Sequence, residues 1–205
     1  MLLAIDSSTG TSVAVVDRDG GILSELAVDD TMRHAEVVGA LIRDALSGAG
    51  VSAADLSAVA CGMGPGPFTG LRIGIAAARA FAFGARKPIV PLVSHDAVAF
   101  DWYGRGNTGD LLIATDARRR ELYWSTYSGV TADGLPVRSS GPGLAKPDDV
   151  PTDAGFRLDA VDVSAGALGM LAEATWAAGA AFASDEPLYL RSPDVSLSTR
   201  KRVTA

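Results

Sequence analysis

The chain is poor in cysteine, histidine and aromatic residues, the side chains that usually mark disulfide frameworks, metal centres and stacking surfaces. Its single cysteine excludes a disulfide framework or a zinc–cysteine cluster within the chain and favours a reducing compartment. Cys61 ends an apolar run, so we expect a small buried core residue rather than a nucleophile. The two histidines, His34 and His95, belong to no recognisable Ser/His/Asp or Cys/His set. The sequence therefore predicts no catalytic residue and no metal site of its own.

Long uncharged apolar runs and an excess of basic residues are also missing. No window reaches the ~18 uncharged apolar residues that a membrane span requires, and the amino terminus lacks the basic flank of a signal peptide. The formal net charge of −6 lacks the basic footprint that a solitary nucleic-acid binder usually carries. The sequence therefore predicts a soluble, cytoplasmic protein without membrane contacts. Its 48% apolar content is enough for a core in one large domain or two small lobes.

The chain does have short apolar runs that alternate with segments of helical periodicity, which is typical of an α/β protein. We predict strands over 2–5, 12–16, 22–28, 56–61, 89–93, 111–115, 122–127 and 188–190, and helices over 32–47, 71–83, from 94 to about 102, and 165–178. The prolines and glycines of 134–155 predict a long, poorly structured connection. A lobe boundary near 106–110 divides the chain into an amino-terminal lobe, 1–106, and a smaller carboxy-terminal lobe, 107–205, with a flexible basic tail.

The most informative segment is the glycine- and proline-rich stretch GMGPGPFTGLRIG from Gly62 to Gly74. Glycine permits close backbone approach and proline fixes φ, so their alternation predicts a stiff, sharply bent strand-to-helix connection, with Thr69 as a candidate helix cap. A Walker phosphate loop would need Gly-Lys-Ser/Thr at the helix start, whereas Gly70 is followed by Leu71. We therefore expect a specialised structural or interface turn.

A strand that ends on an aspartate, turns and returns as a strand occurs twice. Leu-Leu-Ala-Ile-Asp ends at Asp6, and Leu-Ile-Ala-Thr-Asp ends at Asp116, 110 residues later. One such unit per lobe is the plan of the actin/Hsp70/sugar-kinase (ASKHA) superfamily, in which the two turns hold nucleotide phosphates and their metal. Asp6, Ser8, Thr9 and Asp116 are thus candidates for a degenerate nucleotide site. The alternative is that both aspartates only end strands and organise turns.

Five segments together resemble the bacterial TsaB (YeaZ) family, in the family's order over nearly the whole chain. They are IDSSTGTSVAVV, the helix start RHAE, GPGPFTGLRIG, TDARRRELYW and PLYLRSPDV. The resemblance implies a two-lobed actin-like α/β fold with a reduced second lobe. It also implies a non-catalytic subunit required for threonylcarbamoyl transfer to adenosine 37 of tRNA. Such a subunit dimerises with and activates the catalytic paralogue TsaD, assisted by a TsaE-type ATPase, so that ATP and a divalent metal are used by the partners.

The residues agree with that division of labour. The catalytic paralogue holds its metal through a His-x-x-x-His pair on the helix that follows the strand at 89–93, and two imidazoles at this spacing lie on one helix face. This chain keeps His95 at the first position and has Ala99 at the second. We expect His95 to be a capping or surface residue. Between Asp153 and Asp162 the chain is shorter than such proteins usually are, and the expected Gly-rich strand segment is absent.

A non-catalytic subunit needs a docking surface, and the helix over 71–83 is apolar almost all round, so its sides must be buried against something. Our hypothesis is that this helix and the one over 32–47 pack against the matching pair of a partner in a four-helix bundle. The alternative is that both helices cover this chain's own sheet. An exposed apolar pair would also invite a homodimer. The predicted interface consists of His34, Val38, Leu41, Ile42, Ala45, Leu71, Ile75, Ala78, Arg79 and Phe83.

Two other functions stay open from the sequence. One is a stand-alone actin-like phosphotransferase or ATPase that uses Asp6 and Asp116. The other is direct contact with tRNA through the basic runs at 118–120 and 200–202, in addition to contact through the complex; the plainer interpretation of these runs is a solvated turn and a mobile tail.

Overall fold

Two β-sheets, one from each part of the chain, organise the computed structural model, which describes residues 1–29 and 33–191. The first part contains β1 Leu2–Asp6, β2 Thr11–Asp17, β3 Gly21–Val28, α1 His34–Ala49, β4 Ala58–Gly62, α2 Phe68–Ala85, β5 Ile89–Leu92 and α3 Ser94–Gly104. The second part contains β6 Leu111–Asp116, β7 Leu122–Val130, β8 Pro136–Ala145, a 3₁₀ turn Pro147–Asp149, β9 Phe156–Asp159 and α4 Ala165–Ala177.

The two sheets repeat one topology, as the duplicated strand–Asp–turn–strand unit predicted. The first has the strand order β3-β2-β1-β4-β5 and the second the order β8-β7-β6-β9. In each sheet three strands form an antiparallel meander, and the next strand along the chain pairs in parallel with the first. The first lobe inserts α1 between its third and fourth strands, whereas the second inserts only the 3₁₀ turn.

Helices cover both faces of the first sheet. Successive strand residues point to opposite sides, so a continuous apolar strand gives both faces apolar side chains that helices can bury. Leu3 and Ile5 of β1 face a core cluster that they share with α1 and α2. Leu2 and Ala4 face the other side, where they pack with α3 and α4. All five residues of β1 are buried, which explains its continuous apolar sequence.

Helix α4 follows the second sheet in the chain but packs on the first. Its Gly169 lies so close to β2 that a Cβ there would stand 2.7 Å from Cγ2 of Val16. The predicted boundary at 106–110 falls in the connection between α3 and β6. Because α4 returns across it, the division into 1–106 and 107–205 stays a prediction.

Three predictions about the second lobe were wrong. The stretch 134–155 is not a loose connection, because it contains the ten-residue strand β8. Proline and glycine are tolerated there because β8 is an edge strand with several register shifts against β7. The shortened segment 153–162 still supplies a strand, β9. Within the described residues, 188–190 forms no strand, and the basic run at 200–202 lies outside them.

Candidate functional site

The first hairpin, where a nucleotide phosphate would sit, is closed by its own side chains. Asp6 is only 2% exposed. Its Oδ1 accepts hydrogen bonds from the backbone N–H of Ser8 at 2.8 Å and from the Ser8 hydroxyl at 2.5 Å, while Oδ2 accepts from the Ser94 hydroxyl at 2.5 Å. Burial raises the pKa of the Asp6 carboxyl, and the serine hydrogen bonds oppose that rise. Both oxygens of Asp6 are therefore committed within the chain.

The glycine loop seals this hairpin from outside. A Cβ at Gly62 would lie 1.9 Å from Asp6 Oδ2, and one at Gly66 would lie 2.7 Å from Ser8 Cα. These contacts bear out the prediction of a specialised structural turn. The predicted cap was wrong: α2 begins at Phe68 and is preceded by Pro67, so Thr69 lies inside the first turn. Thr9, which is partly exposed, is the one candidate nucleotide residue of this hairpin that still reaches solvent.

The second hairpin turns in the same way but offers no phosphate cradle. Asp116 accepts the backbone N–H of Arg118 at 2.8 Å, as Asp6 accepts that of Ser8. Arg118, Arg119 and Arg120 follow with φ of 60°, 53° and 60°. Left-handed backbone costs an L residue roughly 1–2 kcal/mol. The turn therefore presents three bulky side chains where close phosphate binding needs bare backbone.

The residues of the two hairpins do not fit a nucleotide and its metal. Among the described residues, no three His, Cys, Asp or Glu side chains come together as metal ligands. Asp6 is sealed, and Asp116 is exposed at the start of a turn without glycine. The two hairpins share the same aspartate-to-backbone turn, and their aspartate side chains make hydrogen bonds within the chain.

His95 was expected to cap a helix or lie on the surface, and this prediction was wrong. Its side chain is completely buried between α3 and the second sheet. Nδ1 lies 2.8 Å from the Ser125 hydroxyl and Nε2 lies 3.0 Å from the Thr115 hydroxyl. Burial, and to a smaller extent the positive charge of Arg138, lowers the pKa of His95 to about 3. The imidazole is therefore a neutral link between the lobes.

We expect this burial to make the protein sensitive to acid. The folded-state pKa of His95 lies below its unfolded value of 6.5, so the unfolded chain binds the extra proton. The resulting stability is present above pH 6.5 and is lost as the pH falls toward 3, by up to about 1.4 kcal/mol per pH unit. Urea unfolding at pH 7, 5 and 4 should show His95→Asn losing less stability than the wild type. Parallel pH profiles for the two proteins would contradict this assignment.

The neighbours of His95 complete a junction that the sequence did not reveal. Asp96 accepts a hydrogen bond from the Tyr127 hydroxyl at 2.8 Å and lies 3.5 Å from Nε of Arg138. Burial raises the pKa of Asp96, and the Arg138 charge opposes this rise. Ser94 binds Asp6, so three consecutive residues at the start of α3 hold the first hairpin and three strands of the second sheet.

Most of the predicted interface residues belong instead to the core of the chain. The side chains of α1 and α2 that are buried on the inner side of these helices, toward the first sheet, are His34, Val38, Ile42, Ala45, Leu71, Ile75 and Ala78. The correction has a simple cause: the apolar stripe of α1 and one side of α2 face their own sheet. His34 Nδ1 lies 2.7 Å from the Thr11 hydroxyl. Leu41 is half-buried, while Arg79 and Phe83 are exposed.

The outer side of α2 is a different set of residues. Positions three or four apart lie on one helix face, and the exposed residues follow that spacing. We define the α2 stripe as Arg72, Ala76, Arg79, Ala80 and Phe83. Phe83 is 89% exposed, more than any other large apolar side chain of the described residues. The stripe is thus an aromatic anchor, two alanines and two arginines along one face.

Cys61 lies in β4, fully buried in the core between the first sheet, α1 and α2. Burial raises the pKa of its thiol to about 12, so the nucleophilic thiolate is disfavoured. The prediction of a small core residue is confirmed. None of the helices in the described part of the chain is long and apolar enough to cross a membrane.

The duplicated sheets, with their paired aspartate turns, define a two-lobed α/β fold of the ASKHA class, as predicted. A crystal structure of a Pseudomonas aeruginosa protein, described as uncharacterized with similarity to peptidase YEAZ, matches with a TM-score of 0.79 and 26% identity. The match covers 93% of this chain and 99% of that one.

Sequence comparison identifies the family. The family model described as "TsaD: tRNA N6-adenosine threonylcarbamoyltransferase" matches residues 4–137, so the chain belongs to this family. The uncharacterized protein Rv3421c of Mycobacterium tuberculosis is 39% identical over 202 residues, covering 94% of this chain and 92% of that protein. The Escherichia coli tRNA threonylcarbamoyladenosine biosynthesis protein TsaB is 32% identical over 126 residues, covering 62% of this chain and 54% of that protein. Within the family the chain is of the TsaB/YeaZ type, as the sequence motifs predicted.

Proposed function

We propose that the chain acts in the biosynthesis of threonylcarbamoyladenosine in tRNA, as a non-catalytic subunit that dimerises with and activates a TsaD-type catalytic paralogue. The observation that carries the proposal is the α2 stripe, an exposed helix face with Phe83 at its end, on a chain of the TsaB/YeaZ type. An exposed aromatic side chain beside small residues is the kind of anchor that a protein interface buries.

The closed first hairpin supports a non-catalytic role. A phosphotransferase that used Asp6 and Asp116 would need both carboxylates free to bind a metal or activate a nucleophile. Asp6 is buried with its oxygens bonded to Ser8 and Ser94, and burial raises its pKa. ATP and a divalent metal are accordingly assigned to the partners, the TsaD-type paralogue and a TsaE-type ATPase, and tRNA is reached through the complex.

The docking geometry follows from the spacing of the stripe. Ala76 and Ala80 lie one helical turn apart and carry only a methyl group, which lets a partner helix approach to about 8 Å between axes. Helix α1 packs beside α2, so a partner with a matching helix pair would complete a bundle of four. In the absence of that partner, the same face would accept a second copy of the chain.

Reconstitution tests the proposed division of labour. This chain, a TsaD-type paralogue and a TsaE-type ATPase are incubated with tRNA, ATP, a divalent metal and an activated threonylcarbamoyl donor. Modified adenosine is measured by mass spectrometry. We expect product only when this chain and the paralogue are both present. Asp116→Ala should change the yield by less than about twofold, because the side chain is exposed and serves a turn.

The outcome that would contradict this proposal is ATP turnover by the purified chain alone that disappears in Asp6→Asn or Asp116→Ala. Far-ultraviolet circular dichroism of each variant shows whether lost activity reflects lost folding. Full product formation without this chain would equally contradict it.

A further inference from the structure

The last described segment joins the two lobes without forming a helix or strand. We call residues 182–191 the strap. Its Ala183 N–H donates to the Pro91 carbonyl at 3.1 Å, at the edge of the first sheet, and its Leu188 N–H donates to the Met63 carbonyl at 2.8 Å. These two bonds fix the strap to the first lobe.

The strap also contacts α2 at two places, at Arg79 within the α2 stripe and at Phe68, the first residue of the helix. Arg79 donates to the Asp185 carboxylate at 2.9 Å and to the Asp185 carbonyl at 2.8 Å. One end of α2 is held by Tyr189, whose ring centre lies 4.7 Å from that of Phe68. The guanidinium of Arg72 lies 5.1 Å from the same Phe68 ring. Two of the stripe's charged residues are thus connected to the strap, directly or through Phe68.

At its far end the strap reaches the second hairpin. Arg191 donates to the Glu121 carboxylate and, at 3.4 Å, to the Arg118 carbonyl. This pair is partly shielded, with 21% of the Arg191 side chain and 32% of the Glu121 side chain exposed. The same hairpin contains the three residues with positive φ, so an external contact helps to hold a conformation that costs energy.

No residue of the strap is fully buried. A few polar contacts, two ring contacts (Tyr189 with Phe68 and Phe182 with Trp176) and the packing of Phe182 against the core hold it. Segments with little buried apolar area open at a free energy well below that of global unfolding. We therefore expect the strap to open from α2 and the hairpin before the rest of the chain unfolds.

We propose that the strap is a releasable clasp that couples the α2 stripe to the β6–β7 hairpin. Its role toward a partner rests on the proposed function. A partner seated on the stripe covers the Arg79–Asp185 pair, excludes water from it and so favours the clasped state. Because coupling between two sites is reciprocal, a closed clasp raises affinity for the partner and the partner holds the hairpin more tightly.

Hydrogen exchange on the isolated chain tests the clasp without any partner. In Arg191→Met the amides of the strap and of Ala117 and Glu121 should exchange at least about tenfold faster, because a charge-assisted contact is lost. Glu121→Gln should give the same pattern. Arg105→Met, which removes an exposed ion pair with Asp101 on α3, is the matched control and should leave both segments unchanged. Unchanged hairpin exchange in Arg191→Met would overturn the clasp.

A second measurement adds the TsaD-type paralogue at saturation. Hairpin exchange should slow in the wild-type chain, and Arg191→Met should bind about tenfold more weakly, as reciprocity requires. If the partner binds the wild type but leaves hairpin exchange unchanged, the coupling is refuted. If the partner does not bind the wild type at all, the proposed function fails, and the measurement on the isolated chain still decides whether the clasp exists.

Discussion

Phe83→Asp is expected to weaken binding of a TsaD-type partner at least about 100-fold while leaving the melting temperature of the isolated chain unchanged. Phe83 is 89% exposed, so the fold of the chain does not depend on its ring. In the proposed dimer the ring would be desolvated between helices, and a carboxylate in its place would be buried without a partner. Isothermal titration calorimetry gives the affinity, and a thermal melt of the same samples gives the stability.

Val161→Asp is the matched control for this experiment. Val161 is 87% exposed but lies on the second lobe, beyond β9, so the same change of chemistry should leave partner affinity intact. Ala80→Arg, in the middle of the α2 stripe, should reproduce the loss through steric exclusion of the partner helix. Equal affinities for the wild type and Phe83→Asp would remove the stripe from the interface.

Substitutions on the inner side of α2 would give a different result. Ile75→Arg or Ala78→Arg places a charge in the core, where both side chains are buried beside the first sheet. We expect these variants to unfold, so a loss of partner binding by them carries no information about the interface. The choice of Phe83 and Ala80 separates docking from folding.

The existence of α2 could be predicted from the sequence, but its inner and outer sides could not. Apolar residues surround the helix, so the periodicity does not mark which side faces the sheet. That side is set by contacts with β1 and β4, which come from elsewhere in the chain. Phe83 can therefore be recognised as exposed, and not as a core residue, only when the position of the sheet relative to α2 is known.

The junction around His95 shows a second limit. The helix start at Ser94 was predicted, because serine and aspartate are common in first turns. The hydroxyl partners of His95 lie 20 and 30 residues away, on β6 and β7. Nothing near His95 in the sequence indicates them, whereas two strands pairing in register bring both hydroxyls to one ring.

The repeated aspartate turns were predicted because they are local patterns, while the sealing of Asp6 depends on packing. Its third hydrogen-bond donor, Ser94, is 88 residues away, and the glycine loop closes over the turn. The glycines of this loop let its backbone lie against the hairpin. The loop and the hairpin are therefore one structural unit, and its tolerance for added atoms should be very low.

Gly62→Ala is accordingly expected to destabilise the chain by about 2–5 kcal/mol, the sum of overpacking and of hydrogen bonds lost by a buried carboxyl group. Its Cβ would lie 1.9 Å from Asp6 Oδ2 and 2.9 Å from Ser94 Oγ. Asp6 can retreat only by giving up hydrogen bonds that satisfy a buried carboxyl group, and unsatisfied buried polar groups are costly. Urea denaturation followed by circular dichroism measures the change in free energy of unfolding.

Gly39→Ala is also a glycine-to-alanine substitution, but we expect it to stabilise the chain. Nothing lies within 4 Å of the Cβ that would be added at this position in α1, so alanine should stabilise the helix by up to about 1 kcal/mol.

Combining Gly62→Ala with Asp6→Ala removes the obstructing carboxylate, and the double variant should lose less stability than the sum of the single variants. A strictly additive double variant would mean that Asp6 is not what excludes a side chain at position 62. A wild-type melting curve for Gly62→Ala would mean that the loop does not seal the hairpin.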